Sequence, residues 1–463
     1  MTSPRLPKRW NTSRTDSVDP LAPVADPRTK ALEILRAVEN GAFADALIEE
    51  ARPALSPRDR AFLLELVYGT LRNRSRLDWA LDHLSSQPVS STDPWTRNLL
   101  RLGAYQILFL DRVPVSAAVN TSVELAKQRG RKTGYVNGLL RNLDRRREGV
   151  PWPGPEDPVK RLSVLYSHPD WLLRRWISRY GLETTEEALR QNNLRAPLVI
   201  RTNSLKTTRS ALTALLIEQG AEVRETRYAP SALEILSSPG LSALPAFQVG
   251  LFMVQDEAAQ LIALMLGAAP DDAVLDACAA PGGKATHLAE IMENRGRITA
   301  LDIDAGRLNR IRENSRRLGA AIIEPVKADA SKYEQGRYDR VLIDAPCSGL
   351  GVLRRHPDGR WNKTESDILG RCRTQAAILE NCAGLLKPGG SLVYATCTTE
   401  PEENEQIIES FLSASDRTFV LDDPRPLLPQ AAHHLVDSRG FLRTFPAAPD
   451  MDGFFGARLI RAG

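Results

Sequence analysis

From about residue 254 to the C-terminus, short apolar runs alternate with stretches of helical periodicity. Strand-like runs at 273–278, 298–303, 322–328, 338–344, 391–397 and 454–460 are separated by helix-like stretches at 284–294, 304–318, 365–386 and 402–413. That alternation predicts a doubly wound, largely parallel α/β sheet. In such sheets, ligands and chemistry gather at the C-terminal ends of the strands. Three loops fall on that edge. Cys278-Ala279-Ala280-Pro281-Gly282-Gly283-Lys284 follows Val274-Leu275-Asp276. Cys347 lies in Asp344-Ala345-Pro346-Cys347-Ser348, after Val341-Leu342-Ile343. Cys397 lies in Ala395-Thr396-Cys397-Thr398, after Leu392-Val393-Tyr394.

The 278–284 loop opens a helix. Its small residues let a ligand approach the backbone, and the helix N-terminus offers free N–H groups to an anion. It has neither the Gly-x-Gly-x-x-Gly pattern nor the Gly-Lys-Ser/Thr phosphate-loop spacing. This favours a cofactor presenting a carboxylate, such as the methionine end of S-adenosylmethionine, over a pyrophosphate; a plain β–α turn is the alternative. Asp302 ends the next strand, where a carboxylate takes ribose hydroxyls. Asp304 is its rival, or the cap of the following helix. Asp329 ends the third strand and is placed to accept from an adenine amino group.

The two thiols suit a particular chemistry. Cytosine C5 is a poor nucleophile until a thiolate adds at C6. That route needs a nucleophilic Cys, a group on the N3/N4 edge and a base for the C5 proton. Cys397 and Cys347 offer the thiols, and Asp344 offers the contact with the pyrimidine edge. A target base inside folded RNA has to be splayed or flipped out to reach them. A thiol–disulfide switch is the other reading. Cys372 and Cys382, in a helical stretch, read as small buried hydrophobes.

Residues 1–26 read as a disordered basic tail. Residues 27–148 read as all-helical, with apolar residues at helical spacing such as Ala31, Ile34, Leu35 and Val38. The first 150 residues carry 24 Lys and Arg against 17 Asp and Glu, while the whole chain is only +4. Positive charge gathered in one third of a chain points to a polyanion. Lys127, Arg129, Arg131, Lys132, Arg141, Arg145, Arg146 and Arg147 are the candidate phosphate contacts; a solvated helix end is the alternative. Residues 149–159 are a Pro-rich linker, and 160–253 a small α+β subdomain that precedes a 254–463 catalytic core. The five cysteines form neither a disulfide framework nor a zinc-finger pattern. The N-terminus has no apolar signal segment, and no run of about 18 apolar residues occurs. A cytoplasmic, metal-free monomer away from membranes is expected.

Taken together, Asp276 to Lys284, Asp344 to Ser348 and Ala395 to Thr398 resemble the RNA cytosine-5 methyltransferases. Pro401-Glu402-Glu403-Asn404-Glu405 and Asp452-Gly453-Phe454-Phe455 extend the match. Arg354-Arg355-His356-Pro357-Asp358 with Trp361 resembles the active-site loop of the bacterial small-subunit (16S) rRNA methyltransferase B branch, the Sun/Fmu type. The resemblance implies a multidomain chain: an all-α NusB-like RNA-binding domain, the small α+β RNA-binding subdomain and a Rossmann-like S-adenosylmethionine-dependent core. It implies that Cys397 is the nucleophile, that Cys347 assists product release, that Asp344 contacts the cytosine and that Lys284 helps orient it. The 278–284 loop, Asp302, Asp329 and Asp344 would bind the cofactor, and 16S rRNA would be the partner. A tRNA cytosine-5 methyltransferase and a non-catalytic ribosome-assembly factor are the alternatives. DNA enzymes rank below, since they lack the Thr-Cys thiol.

Overall fold

The structure, a computed structural model, describes residues 26–463 except 131, 416–417 and 446–449. The basic tail expected over 1–26 therefore lies outside the described residues, apart from Asp26. That residue is the cap of the first helix, where its side chain accepts from Thr29 N.

Seven helices come first: α1 (Pro27–Glu39), α2 (Ala44–Ala51), α3 (Pro57–Arg72), α4 (Arg74–Leu84), α5 (Pro94–Phe109), α6 (Val115–Gln128) and α7 (Thr133–Arg146). Ser56 and Asp93 cap α3 and α5, each followed by a proline whose missing N–H costs nothing at a helix start. The apolar stripes meet in one core around Leu63, Leu66, Leu99, Leu100 and Leu140. The Pro-rich stretch read as a linker is pinned against this body. Val150 is buried in the same core, Trp79 Nε1 donates to Pro151 O (2.8 Å), and Arg76 stacks on the Trp152 ring. The aliphatic Val150 and the aromatic Trp152 make it adhesive despite the prolines.

Three helices follow, α8 (Pro158–Leu165), α9 (Asp170–Tyr180) and α10 (Leu182–Asn193). They lead into a small antiparallel sheet of β1 (Leu198–Thr202), β2 (Glu222–Glu225), β3 (Ala232–Ser237) and β4 (Phe252–Val254), ordered β2-β3-β1-β4. Helices α11 (Arg209–Glu218) and α12 (Pro245–Gln248) complete it.

The core then runs α13 (Glu257–Met265), β5 (Ala273–Asp276), α14 (Gly283–Ile291), β6 (Arg297–Asp302), α15 (Ala305–Leu318), β7 (Ile323–Lys327), β8 (Tyr338–Asp344), α16 (Glu365–Gly384), β9 (Leu386–Thr396), α17 (Glu405–Ala414), β10 (Phe419–Asp422), β11 (Leu442–Arg443) and β12 (Phe455–Arg461). The sheet order is β10-β12-β9-β8-β5-β6-β7. Strands β7, β6, β5, β8 and β9 are parallel, as expected. Strands β12 and β10 extend the sheet antiparallel, and β11 pairs with β12. The strands β10 and β11, four and two residues long, are too short to announce themselves by periodicity. The stretch expected to be helical from 402 begins at Glu405, because Pro401–Glu403 form a single 3-10 turn.

The small sheet is clamped to the core by a buried cation. Arg201 on β1 has no exposed surface and donates to Glu290 (2.7 and 3.0 Å), Thr286 Oγ1 (3.0 Å) and Gly283 O (2.7 Å), all on α14. It thereby fixes the helix that follows the 278–284 loop. Among the described residues, no helix is long and apolar enough to cross a membrane, and no group of three or more His, Cys, Asp or Glu is arranged to hold a metal ion.

Candidate active site

The β5–α14 loop forms one wall of a cavity of about 370 Å³ at the C-terminal edge of the sheet. Gly282 takes φ +97°, a left-handed conformation that only glycine adopts without strain. Cys278, Ala279, Ala280, Pro281, Gly283 and Lys284 line the wall, with Asp276 beneath them. Asp276 is fully buried. Its carboxylate has the Cys278 amide as its nearest donor and no side-chain hydrogen bond among the described residues. Burial, and then the charge of Asp344, push its carboxyl up to about 7. A buried carboxylate with no side-chain partner facing a cavity is costly unless a cation joins it. The start of α14 offers the opposite polarity, open N–H groups. A ligand carrying an ammonium and a carboxylate on one carbon fits both, so these residues fit the amino-acid end of S-adenosylmethionine.

Across the cavity, β8 and β9 run parallel, with Asp344 level with Ala395. The loops leaving them bring Cys347 Sγ and Cys397 Sγ to 3.3 Å, both as free thiols. Lys284 Nζ donates to Asp344 Oδ2 (2.6 Å) and lies 5.1 Å from the centre of the Phe454 ring. Contact with the Cys347 thiol, then burial, hold the Cys397 proton on, while Lys284 works in the opposite sense.

A buried carboxylate fastens the two thiol loops together. Glu403 Oε1 accepts from Ser348 N (2.8 Å) and Gln375 Nε2 (3.0 Å); its Oε2 accepts from Ser348 Oγ, which also meets Thr398 Oγ1 (2.7 Å). Ser348 and Thr398 each directly follow a cysteine, so one side chain fixes both. Gly351 N donates to Cys397 O (3.0 Å), and Gly453 N to Gly351 O (2.8 Å). A Cβ on Gly351 would stand 1.9 Å from Gly453 O, so this approach requires glycine.

The mouth is built by the segment from Arg354 to Trp361. Arg355 lines the cavity, clamped between Asp256 (2.8 Å) and Asp452 (2.6 Å). Burial, then the charge of Asp256, push the Asp452 carboxyl up to about 7. The segment is also held by the helical domain. His356 Nδ1 is 2.6 Å from Asp45, Arg72 Nη2 donates to Arg354 O (3.1 Å), and Trp361 Nε1 donates to Leu71 O (2.9 Å). Arg360 is 1% exposed and donates to Arg72 O, Ser167 O, Asn192 O and Asn193 Oδ1.

Asp302 and Asp329 stand at the ends of β6 and β7, next to Asp276 in strand order. Both lie outside the cavity lining. Asp302 is buried, accepts from Asp304 N (2.9 Å) and lies 3.6 Å from Arg307. Asp329 is exposed and accepts from Ser331 N and Oγ. Asp304 caps α15. Of the basic residues, Lys127, Arg129, Lys132, Arg141, Arg145, Arg146 and Arg147 are exposed, and Arg131 lies outside the described residues. They are spread along α7, from the α6–α7 turn through Arg141 to its last turn. Arg145 to Arg147 sit at the far end of α7 from the α6–α7 turn, about 20 Å away at 1.5 Å per residue. Sequence reasoning passed over Asp276 as a site residue, although it ends a strand as Asp302 does. Asp256, Arg355, His356, Glu403 and Asp452 carried no local signal beyond lying in or near quoted motifs.

Three family models match the chain: the 16S rRNA methyltransferase RsmB/F model over 263–460, the NusB family over 25–145, and the RsmF/B-like ferredoxin-like domain over 168–240. The probable ribosomal RNA small subunit methyltransferase B of Bacillus subtilis is 38% identical over 446 residues, 94% of this chain and 99% of that protein. The crystal structure of PH0851 superposes with a TM-score of 0.78 at 29% identity, covering 94% of this chain and 98% of that one. NSun6 from Pyrococcus horikoshii, solved with the S-adenosylmethionine analogue SFG, superposes at 0.57 and 24% identity, over 64% of this chain and 98% of that one.

Proposed function

The chain belongs to the 16S rRNA methyltransferase RsmB/F family, and we propose that it methylates C5 of a cytosine in small-subunit rRNA through a covalent adduct between Cys397 and C6. As a member it is an S-adenosylmethionine-dependent RNA methyltransferase; the base, the atom and the adduct are the proposal. The observation that carries it is the pair of free thiols 3.3 Å apart, of which Cys397 lines the cavity together with the Lys284–Asp344 ion pair.

The cofactor, when bound, supplies an electrophilic methyl group. The residues that hold its amino-acid end are Asp276 and the start of α14, with Asp302 and Asp329 at the neighbouring strand ends for the nucleoside. Cys397 Sγ adds to C6 and passes its proton, which the Cys347 contact and burial otherwise hold on, by way of Asp344 to ring N3. Asp344, anchored by Lys284, receives the N3/N4 edge of the base. Adding sulfur at C6 places an electron pair on C5, which would form the new C–C bond as the methyl group parts from the sulfonium sulfur of the bound cofactor. Loss of the C5 proton, to water or to Cys347 in its thiolate form, then returns electrons to the ring and expels Cys397 Sγ, which recovers its own proton from N3 by way of Asp344. Cys347 is the group placed to assist that last step. Water exclusion comes from the Arg354–Trp361 segment and Phe454.

Bisulfite sequencing of rRNA and tRNA, from cells with and without the gene, tests the target. One cytosine of small-subunit rRNA should lose its protection when the gene is absent. A change confined to tRNA would contradict the rRNA reading, and no change in either would contradict C5 methylation.

A further inference from the structure

The mouth of the cavity holds a cation that the floor chemistry leaves unused. Two basic residues stand there side by side, and they are not equivalent. Arg355 is closed internally, with Asp256, Asp452 and Pro197 O around its guanidinium. His356 is open: it lines the cavity, and its side chain is 48% exposed. Its Nδ1 faces Asp45, while Nε2 has no protein partner among the described residues. Asp45 comes from α2 of the helical domain and is itself fixed by the Tyr68 hydroxyl.

The groups facing the ring are Asp45, with Tyr68 behind it, from the helical domain, Asp358 from its own loop and Asp452 from the C-terminal segment. Burial opposes charge on the ring. The hydrogen bond and charge of Asp45, with the carboxylates of Asp358 and Asp452, outweigh it and hold the imidazole above its usual value. The result is a charged donor aimed out of the rim. A nucleotide turned into the cavity carries its flanking phosphodiesters past that rim.

We propose that His356 binds a phosphodiester next to the target nucleotide through Nε2–H, and that Asp45 of the NusB-like domain is a positioning residue that orients and charges it. The inference rests on the proposed function, since it takes the cavity as the seat of an RNA base. It makes the helical domain a part of the active site and not only a tether for RNA.

The test uses the full chain and a 16S rRNA transcript as methyl acceptor. His356→Gln should raise the RNA KM about tenfold, leave cofactor affinity unchanged and flatten the salt dependence by about 0.7 of a unit, the share of one neutralised phosphate on single-stranded RNA. Asp45→Asn should behave differently with pH. Without the carboxylate, His356 falls back towards its ordinary value near 6.5. The variant should therefore match the wild type near pH 6 and match His356→Gln near pH 8. A merely structural contact does not produce that crossover. Should Asp45→Asn unfold, the salt slope of His356→Gln still decides. An unchanged RNA KM and slope for His356→Gln overturns the inference, as does an Asp45→Asn profile parallel to the wild type. A wild type that transfers no methyl to cytosine C5 instead removes the proposed function itself, before any variant is compared.

Discussion

The floor and the mouth of the cavity are built in opposite ways. The floor is local: Asp276, the 278–284 loop, Cys347 and Cys397 each sit at the end of one strand of one parallel sheet. The mouth is assembled from distant pieces. Asp45 and Leu71 of the helical domain, Asn192 and Asn193 before the small sheet, and Asp452 near the C-terminus all converge on residues 354–361. A locally built site survives changes elsewhere in the chain. A site assembled across domains couples the NusB-like domain to the residues at the mouth of the cavity. The helical domain is thus no detachable module, although its own core alone suggests one.

The sharpest way to break this contrast is Arg360→Ala. The side chain is buried, with carbonyl and amide acceptors from the helical domain and from α10 around it. Its removal leaves those acceptors unpaired and should cost about 3 kcal/mol or more of stability. A thermal melt should show the loss while cofactor affinity measured below the transition stays close to wild type. An unchanged melt would mean that the mouth does not depend on this anchor.

A change on the floor should read out in affinity instead. Asp276→Asn removes the buried carboxylate at the cavity wall. It should weaken cofactor binding roughly ten- to a hundred-fold. The sign of the pH effect follows from its raised carboxyl, at about 7 in the free protein. A cationic ligand group stabilises the ionised form, so binding releases a proton near pH 7 and weakens as pH falls below it. Calorimetry in buffers of different ionisation heat should detect that proton in the wild type and not in Asp276→Asn. Equal proton release in both would move the ammonium elsewhere.

The smallest expected effect tests the outer face of the helical domain. Reversing Arg145, Arg146 and Arg147 to Glu changes one end of α7 and leaves Lys127, Arg129 and Lys132 at the other. RNA affinity should fall for all sequences alike, and the salt slope should drop by about 0.7 for each phosphate no longer neutralised. An unchanged slope would mark that end as solvated surface and leave RNA binding to the mouth and the small subdomain.

Legibility in the sequence followed the same division. The parallel strands, the helical N-terminal region and the three edge loops were readable, because each rests on local periodicity and short motifs. Asp276 escaped notice because its role depends on burial without a side-chain partner, which no spacing reveals. Glu403 escaped because it lies in a stretch that reads as helix, and only the folded 3-10 turn sends its carboxylate to Ser348. The pairing of Asp45 with His356 spans more than half the chain, and no local pattern encodes it. The basic residues read as one cluster because they are close in sequence; the fold spreads them along the length of α7.

The central claim is that Cys397 and Cys347 divide one covalent cycle between them. The direct measurement is a denaturing gel of the protein incubated with S-adenosylmethionine and labelled 16S rRNA. Cys347→Ala should accumulate a protein–RNA species that survives denaturation, and the Cys347→Ala/Cys397→Ala double variant should form none. Adduct in the double variant, or adduct that accumulates with Cys397→Ala alone, would contradict the assignment of the nucleophile.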